Sequence, residues 1–139
     1  MKRILITGSG GLVGSELVEL LKKDSRNHVR KADLKLGDDL RNYSKCYELC
    51  NGVDEVYHVA GVKGNPKFTA RKPLDFMIPM LQFDVNMVRA ALEQNVKRFL
   101  YTSSVAVLYP ETDKYPSWAK STGEKLIEAI RVQYPEKNF

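Results

Sequence analysis

The run Thr7-Gly8-Ser9-Gly10-Gly11-Leu12-Val13-Gly14 places glycines at 8, 11 and 14, between a short apolar run and an amphipathic stretch. Each glycine answers a different demand of phosphate binding. Gly8 permits a tight turn, Gly11 lets the backbone approach a pyrophosphate with no Cβ in the way, and Gly14 lets a helix lie close on the preceding strand. A helix that starts here offers free amides and its positive dipole end to the phosphates. Such a triplet also occurs in structural turns; its place between a strand and a helix is what points to a dinucleotide. Asp33 stands 19 residues after Gly14. A carboxylate at that distance can accept both ribose hydroxyls of an adenosine and repels a 2′-phosphate, which favours NAD over NADP. Lys31 and Lys35 flank it and weaken that repulsion, and a strand-end or cap role is the alternative. Asp39 reads equally as a partner for the adenine amino group and as a turn or cap residue.

These groups need a scaffold, and the hydrophobic pattern supplies one. Residues 3–7 form an apolar run that ends at glycine, as a buried parallel strand does. Residues 12–23 put Val13, Leu17, Leu20 and Leu21 on one helical face. A weaker strand is expected at 28–33, a short helix at 42–51 and a strand at 55–60, followed by the loop Gly61–Gly64. Residues 74–95 have helical spacing, but Pro79 lies inside and predicts a kink or a second helix start. A fourth strand is expected over 98–107 and a last helix over 117–134, stopped by Pro135. Strands alternating with helices predict an α/β fold, a doubly wound parallel sheet.

One domain fits 139 residues, of which 43% are hydrophobic and 28% charged. No apolar run approaches the ~20 residues of a membrane helix, which argues against a membrane partner. The N-terminal apolar stretch is too short for a secretory signal. Two cysteines are too few for a disulfide scaffold, so a reducing, cytoplasmic setting is expected. Twenty-two Lys and Arg against 17 Asp and Glu give +5. The positive residues are scattered without aromatic interleaving, which predicts a solvated surface and no nucleic-acid partner. Cys46 and Cys50, with His28 and His58 far off in sequence, do not make a zinc pattern, and His58 reads as a packed core histidine.

Five segments then appear in a familiar order: Thr7 to Val18, Gly37 to Asn42, Asp54 to Val62, Val96 to Val107 and Trp118 to Leu126. The chain resembles the extended short-chain dehydrogenase/reductases, in their NAD-dependent nucleotide-sugar epimerase/dehydratase branch, from residue 2 to about 134. The resemblance implies an NAD(P)-binding Rossmann fold. It implies that Gly8, Gly11, Leu12, Val13 and Gly14 hold the pyrophosphate and that Asp33 binds the adenosine ribose. Asp39 and Leu40 would sit at the adenine, Ala60 and Gly61 at the inner ribose, and Thr102 beside the nicotinamide. Ser104 best matches the catalytic serine or threonine, with Ser103 next to it, and Lys120 the active-site lysine. The family's phenol takes a sugar hydroxyl proton while hydride passes to NAD; a lysine ammonium lowers the phenol's ordinary pKa of ~10. The serine steadies the same oxygen.

The chain departs from that pattern where the chemistry would occur. The family tyrosine stands four residues before the lysine, and that position here is Pro116. Tyr115 is five before, offset by roughly 140° on a regular helix. A helix beginning at Pro116 would leave Tyr115 just ahead of it, free to turn toward the site as the phenol; Tyr109 in the preceding loop is the lesser candidate, and Tyr115 reads alternatively as a loop aromatic packed under the last helix. The asparagine usual in the central helix is replaced near Met80, while Asn86 is retained. The family also builds its sugar-nucleotide pocket mainly from later segments. The expectation is therefore a dinucleotide-binding domain over 1–139, truncated before its substrate-binding part, with a free sheet edge that favours a homo-oligomer. Two functions compete: an epimerase/dehydratase acting on a nucleotide sugar, and an inactive NAD-binding regulatory or redox-sensing module.

Overall fold

The computed structural model describes residues 1–139 in full. Four parallel strands form one sheet: β1 (Lys2–Thr7), β2 (Asn27–Ala32), β3 (Glu55–His58) and β4 (Arg98–Tyr101). Their order is β2-β1-β3-β4. The helices are α1 (Leu12–Lys22), α2 (Tyr43–Cys50), α3 (Pro66–Arg71), α4 (Pro73–Glu93) and α5 (Lys114–Gln133). The doubly wound reading holds, because side-chain alternation divides the sheet between two helical layers. Ile4 and Ile6 point to α1 and meet Val18. Leu5, Val56 and Phe99 point the other way, into an 18-residue core with Cys46, Met87, Val88, Ile127 and Ile130 from α2, α4 and α5. Each fully buried aliphatic side chain here contributes ~1.5–3 kcal/mol. The last four residues of β1 are all buried, as a central parallel strand requires.

Four boundaries correct the sequence reading. The fourth strand stops at Tyr101 and does not reach 107. Its partner β3 ends at His58, and Ser104 then accepts the Ala106 amide at 3.2 Å, starting a 3₁₀ turn at Val105–Leu108. That local bond displaces the ladder. The strand expected to run to Ala60 likewise ends at His58. The central helix passes through Pro79 as one element, and the separate helix is α3, whose start is capped by Asn65 on the Phe68 amide at 3.0 Å. The last helix starts at Lys114, so Tyr115 and Pro116 lie inside its first turn. The first helical bond is Ser117 N–H to the Asp113 carbonyl, so Pro116 gives up no intrahelical bond.

Beyond α5, Asn138 makes a parallel bridge to Arg98 on the outer edge of β4, and Phe139 stacks on Phe99 at 5.4 Å. No helix is long and apolar enough to cross a membrane. Cys46 and Cys50 are buried free thiols, each pushed up to about 12 by burial.

Candidate functional site

All strands run the same way, so the loops leaving β1, β2, β3 and β4 gather at one edge of the sheet. Every site residue expected from the sequence lies on those loops or on the helices that follow them.

The loop after β1 is shaped by absent side chains. Gly8 has φ +67°, and a Cβ there would stand 2.6 Å from the Ala60 Cα. The turn is closed by Gly11 N–H on the Gly8 carbonyl at 3.0 Å. A Cβ on Gly14 would stand 2.1 Å from that same carbonyl, so α1 seats directly on the turn. Gly11 is the N-cap of α1, and no side chain caps the helix. The first-turn amides have no intrahelical partners. Leu12 and Val13 are exposed to 87% and 61%, so the turn faces outward. A Cβ on Gly11 would meet only the Gly8 carbonyl, at 3.2 Å, and otherwise fill the open approach to these amides.

Asp33 stands beside that turn. One carboxylate oxygen accepts the Lys35 amide at 3.0 Å and the other the Gly10 amide at 2.9 Å. The Lys35 amide, and after it that of Gly10, hold the carboxyl below its usual range. Two of about four acceptor sites are thereby used, and the remainder stay free for hydroxyl donors. Asp33 thus ties the second strand's exit to the glycine turn, the cap role left open by the sequence. Asp39 also takes its turn role: it accepts the Arg41 amide at 3.0 Å and pairs with the Arg41 guanidinium at 2.6 Å. The Leu40 side chain is buried in the main core, and its carbonyl accepts the Asn86 side-chain amide at 2.9 Å. Any part Leu40 takes at an adenine falls to its main chain.

The loop after β3 runs beside the glycine turn through the Gly8–Ala60 contact. Gly61 is exposed, and the Met80 sulfur lies beneath it, accepting the Val62 amide at 3.1 Å. Met80 thus supports this loop where the family's asparagine was expected.

The loop after β4 meets α5. Lys120 is part-buried, and its Nζ donates to the Thr102 carbonyl at 2.8 Å. The same ammonium lies 4.8 Å from the centre of the Tyr101 ring. Burial lowers the Lys120 pKa, and the nearby Asp84 carboxylate opposes that shift. Thr102 is fixed in turn by its hydroxyl on the His58 carbonyl at 3.0 Å. Ser104 is half-buried, with its oxygen accepting from Ala106. The structure therefore joins Thr102 to Lys120 and Gly10 to Asp33. Tyr115 is not joined to this group: its ring meets Trp118 edge-on at 5.9 Å, and it makes no hydrogen bond to Ser104 or Lys120. Its expected freedom ahead of the helix is overturned by the earlier start of α5.

The sequence reading missed Asp84 and Tyr101. Asp84 is 1% exposed, and its carboxylate accepts from Tyr101 at 2.8 Å while paired with the His58 ring at 3.0 Å. The signal was present: Asp84 falls four residues after Met80 and four before Val88, in the buried stripe of α4. No group of three His, Cys, Asp or Glu is placed to hold a metal ion.

Residues 4–136 match the model of the NAD dependent epimerase/dehydratase family. GDP-mannose 3,5-epimerase 1 of Oryza sativa subsp. japonica is 33% identical over 123 residues, which cover 78% of this chain and 32% of that protein. The chain thus spans about a third of the length of that relative. Among solved structures, UDP-glucose 4-epimerase from Bifidobacterium longum in complex with NAD+ and UDP superposes with TM-score 0.80 at 21% identity, over 96% of this chain and 50% of that one. The GDP-D-glycero-L-gluco-heptose synthase from Campylobacter jejuni, in the presence of NADPH, gives TM-score 0.85 at 22% identity, over 96% of this chain and 45% of that one. Since the match runs from within β1 to beyond the end of α5, the chain belongs to the NAD dependent epimerase/dehydratase family.

Proposed function

We propose that the chain holds NAD along the carboxyl edge of its sheet. It would form the dinucleotide-binding part of an oxidoreductase that epimerises, dehydrates or reduces a nucleotide sugar. One observation carries the binding claim: the uncapped start of α1 opens outward beside an ionised Asp33. Amides suit a diphosphate, and a carboxylate suits a ribose diol. Asp33 favours NAD over NADP, since a 2′-phosphate would meet its negative charge.

When bound, the dinucleotide supplies hydride transfer to and from a sugar carbon. This chain supplies position and charge. Gly8, Gly11, Leu12, Val13 and Gly14 receive the pyrophosphate, Asp39 and Leu40 border the adenine, and Ala60, Gly61 and Thr102 line the inner half. Lys120 presents a fixed cation there. In this reading Ser104 would hold the reacting sugar oxygen, Tyr115, once turned from Trp118, would take its proton, and Lys120 would stabilise the resulting phenolate. The substrate class is supported by relatives named for GDP- and UDP-sugars. Homo-oligomers belong to the same proposal, read by light scattering.

A second reading, a dinucleotide-binding regulatory or redox-sensing module without turnover, is favoured by the packing of Tyr115 on Trp118. Two measurements decide between them. Saturable quenching of NADH fluorescence is expected, and its absence removes both readings. Conversion of GDP- and UDP-sugars is then followed by product analysis, since epimerisation and dehydration return the hydride to the sugar and leave no net NADH, for the wild type and for Lys120→Ala. Turnover lost in the variant supports the enzyme, and no turnover in either protein supports the module.

A further inference from the structure

The last residues of β1, β3 and β4 form a row across the sheet, with Thr7 opposite His58 and His58 opposite Tyr101. Their side chains face α4 and α5, where Asp84 meets them. The Thr7 hydroxyl lies 2.7 Å from His58 Nδ1, His58 Nε2 lies 3.0 Å from Asp84 Oδ1, and the Tyr101 hydroxyl donates to Asp84 Oδ2 at 2.8 Å. As a carboxylate, Asp84 accepts from both neighbours. His58 then donates from Nε2, and its Nδ1 shares the second hydrogen bond with the Thr7 hydroxyl. Thr7 also receives the Ala60 amide at 3.4 Å. No buried side-chain polar atom is left without a partner.

Three features exceed what filling the core requires. A carboxylate this deep is expensive to desolvate, and an apolar residue of similar size would fill the stripe more cheaply. Next, α5 has given up a side chain for this contact. A Cβ on Gly123 would stand 2.2 Å from the Tyr101 hydroxyl oxygen and 2.9 Å from Asp84. Finally, the ring so fixed is the one beneath the Lys120 ammonium, 4.8 Å away, while His58 stacks on it at 6.1 Å.

We propose that Asp84 is a positioning residue for Lys120: it anchors the Tyr101 hydroxyl, so that the ring and the carboxylate together hold the ammonium in place at the Thr102 carbonyl. Its role in function rests on the reading that Lys120 serves the dinucleotide. Cation–ring attraction grows when the pair is withdrawn from water, as here. The Asp84 charge also works against the loss of the Lys120 proton that burial favours. The groups that bear on Lys120 are few. Asp84 comes from α4 and Tyr101 from β4; the 3₁₀ turn Val105–Leu108 brings no titratable side chain, Lys67 and Arg71 of α3 are exposed, and Glu124 follows one turn along α5.

Competitive trace acetylation, followed by mass spectrometry between pH 7 and 11, reads the Lys120 amine directly and needs no cofactor. Exposed Lys125 is the internal reference. Asp84→Asn removes the charge with little change in size and is expected to move the Lys120 profile to lower pH, with several-fold faster labelling at pH 8. Tyr101→Phe keeps the ring and the charge but loses the anchor; faster labelling with a smaller move in midpoint is expected. A Lys120 profile unchanged in both variants overturns the proposal. If Asp84→Asn fails to fold by circular dichroism, Tyr101→Phe decides alone, and an unchanged rate overturns it. NADH titration of the same proteins separates the two levels. A wild type that does not bind NADH defeats the dinucleotide reading, whatever the labelling shows. A wild type that binds, with labelling unmoved in the variants, defeats only the role of Asp84.

Discussion

At the end of β1 the groups offered to a ligand are backbone amides, and what exposes them is missing atoms: no Cβ on Gly8 or Gly14, no capping side chain on Gly11. At the end of β4 the groups are side chains, and what fixes them is other side chains, from Thr102 and Tyr101 back to Asp84 and His58. The first corner is local, spanning residues 7–14 with Asp33 leaning in. The second draws on three strands and two helices. A backbone site has few ways to vary, since Gly8 and Gly14 are each set by a clash. A side-chain site has many, and it is here that the chain departs from the pattern it resembles, at Pro116 and Tyr115.

The largest effect is expected where the backbone site has no slack. Gly14→Val sets a branched side chain against the Gly8 carbonyl and should lift α1 from the turn. Overpacking of this kind costs ~3 kcal/mol, enough to weaken NADH binding about 100-fold by fluorescence and to lower the melting temperature. Lys120→Ala removes one charged group from the other corner. It should weaken NADH by about tenfold, since hydrogen bonds to charged groups are worth ~1.5–3 kcal/mol, while α1 remains intact by circular dichroism. Equal losses from the two variants would erase the contrast between the corners. Asp33→Ala should cost several-fold in NADH affinity and less for NADPH, bringing the two dissociation constants together. A preference for NADH that survives the change places specificity elsewhere.

The smallest effect is expected far from both corners. Asp54 accepts the Arg3 amide at 2.9 Å and its guanidinium at 3.4 Å, and these hold its carboxyl at about 2, against an ordinary 3.8. The folded value lies below the unfolded one. The contribution is therefore whole above about pH 4 and is lost as pH falls toward 2. Asp54→Asn should flatten that part of the acid-unfolding curve and leave NADH affinity at pH 7 unchanged. An unaltered acid curve would place the sensitivity at other carboxylates.

The same contrast explains what was legible in the sequence. Gly8, Gly11, Gly14 and Asp33 announce themselves because few residue types meet a steric or charge demand at a fixed spacing. The first strand is equally plain, because Ile4, Leu5 and Ile6 are apolar on both faces, whereas β2, with His28, Arg30 and Lys31, carries a weaker signal. The lysine corner was harder. Tyr101 looked like one more apolar strand residue, and its hydroxyl acquires meaning only when α4 brings Asp84 across. The fourth strand was read too long because Val105 and Val107 continue its apolar character, whereas Ser104 had already turned the chain. Tyr115 turns on two residues of helix: Pro116 resembles a first helical position, but the helix begins at Lys114. Helix α3 was overlooked since six residues carry almost no periodicity, although Asn65-Pro66 is a fair start signal.

The abutment of Gly8 on Ala60 reaches beyond the cofactor. The two residues come from different loops, one entering α1 and the other leaving β3, yet they share a single van der Waals boundary. Position 8 cannot gain a side chain without pushing the main chain of the other loop away. The obstacle is the main chain of position 60, which no side-chain exchange there removes, so random mutagenesis under selection for binding should return glycine at position 8 whatever stands at position 60.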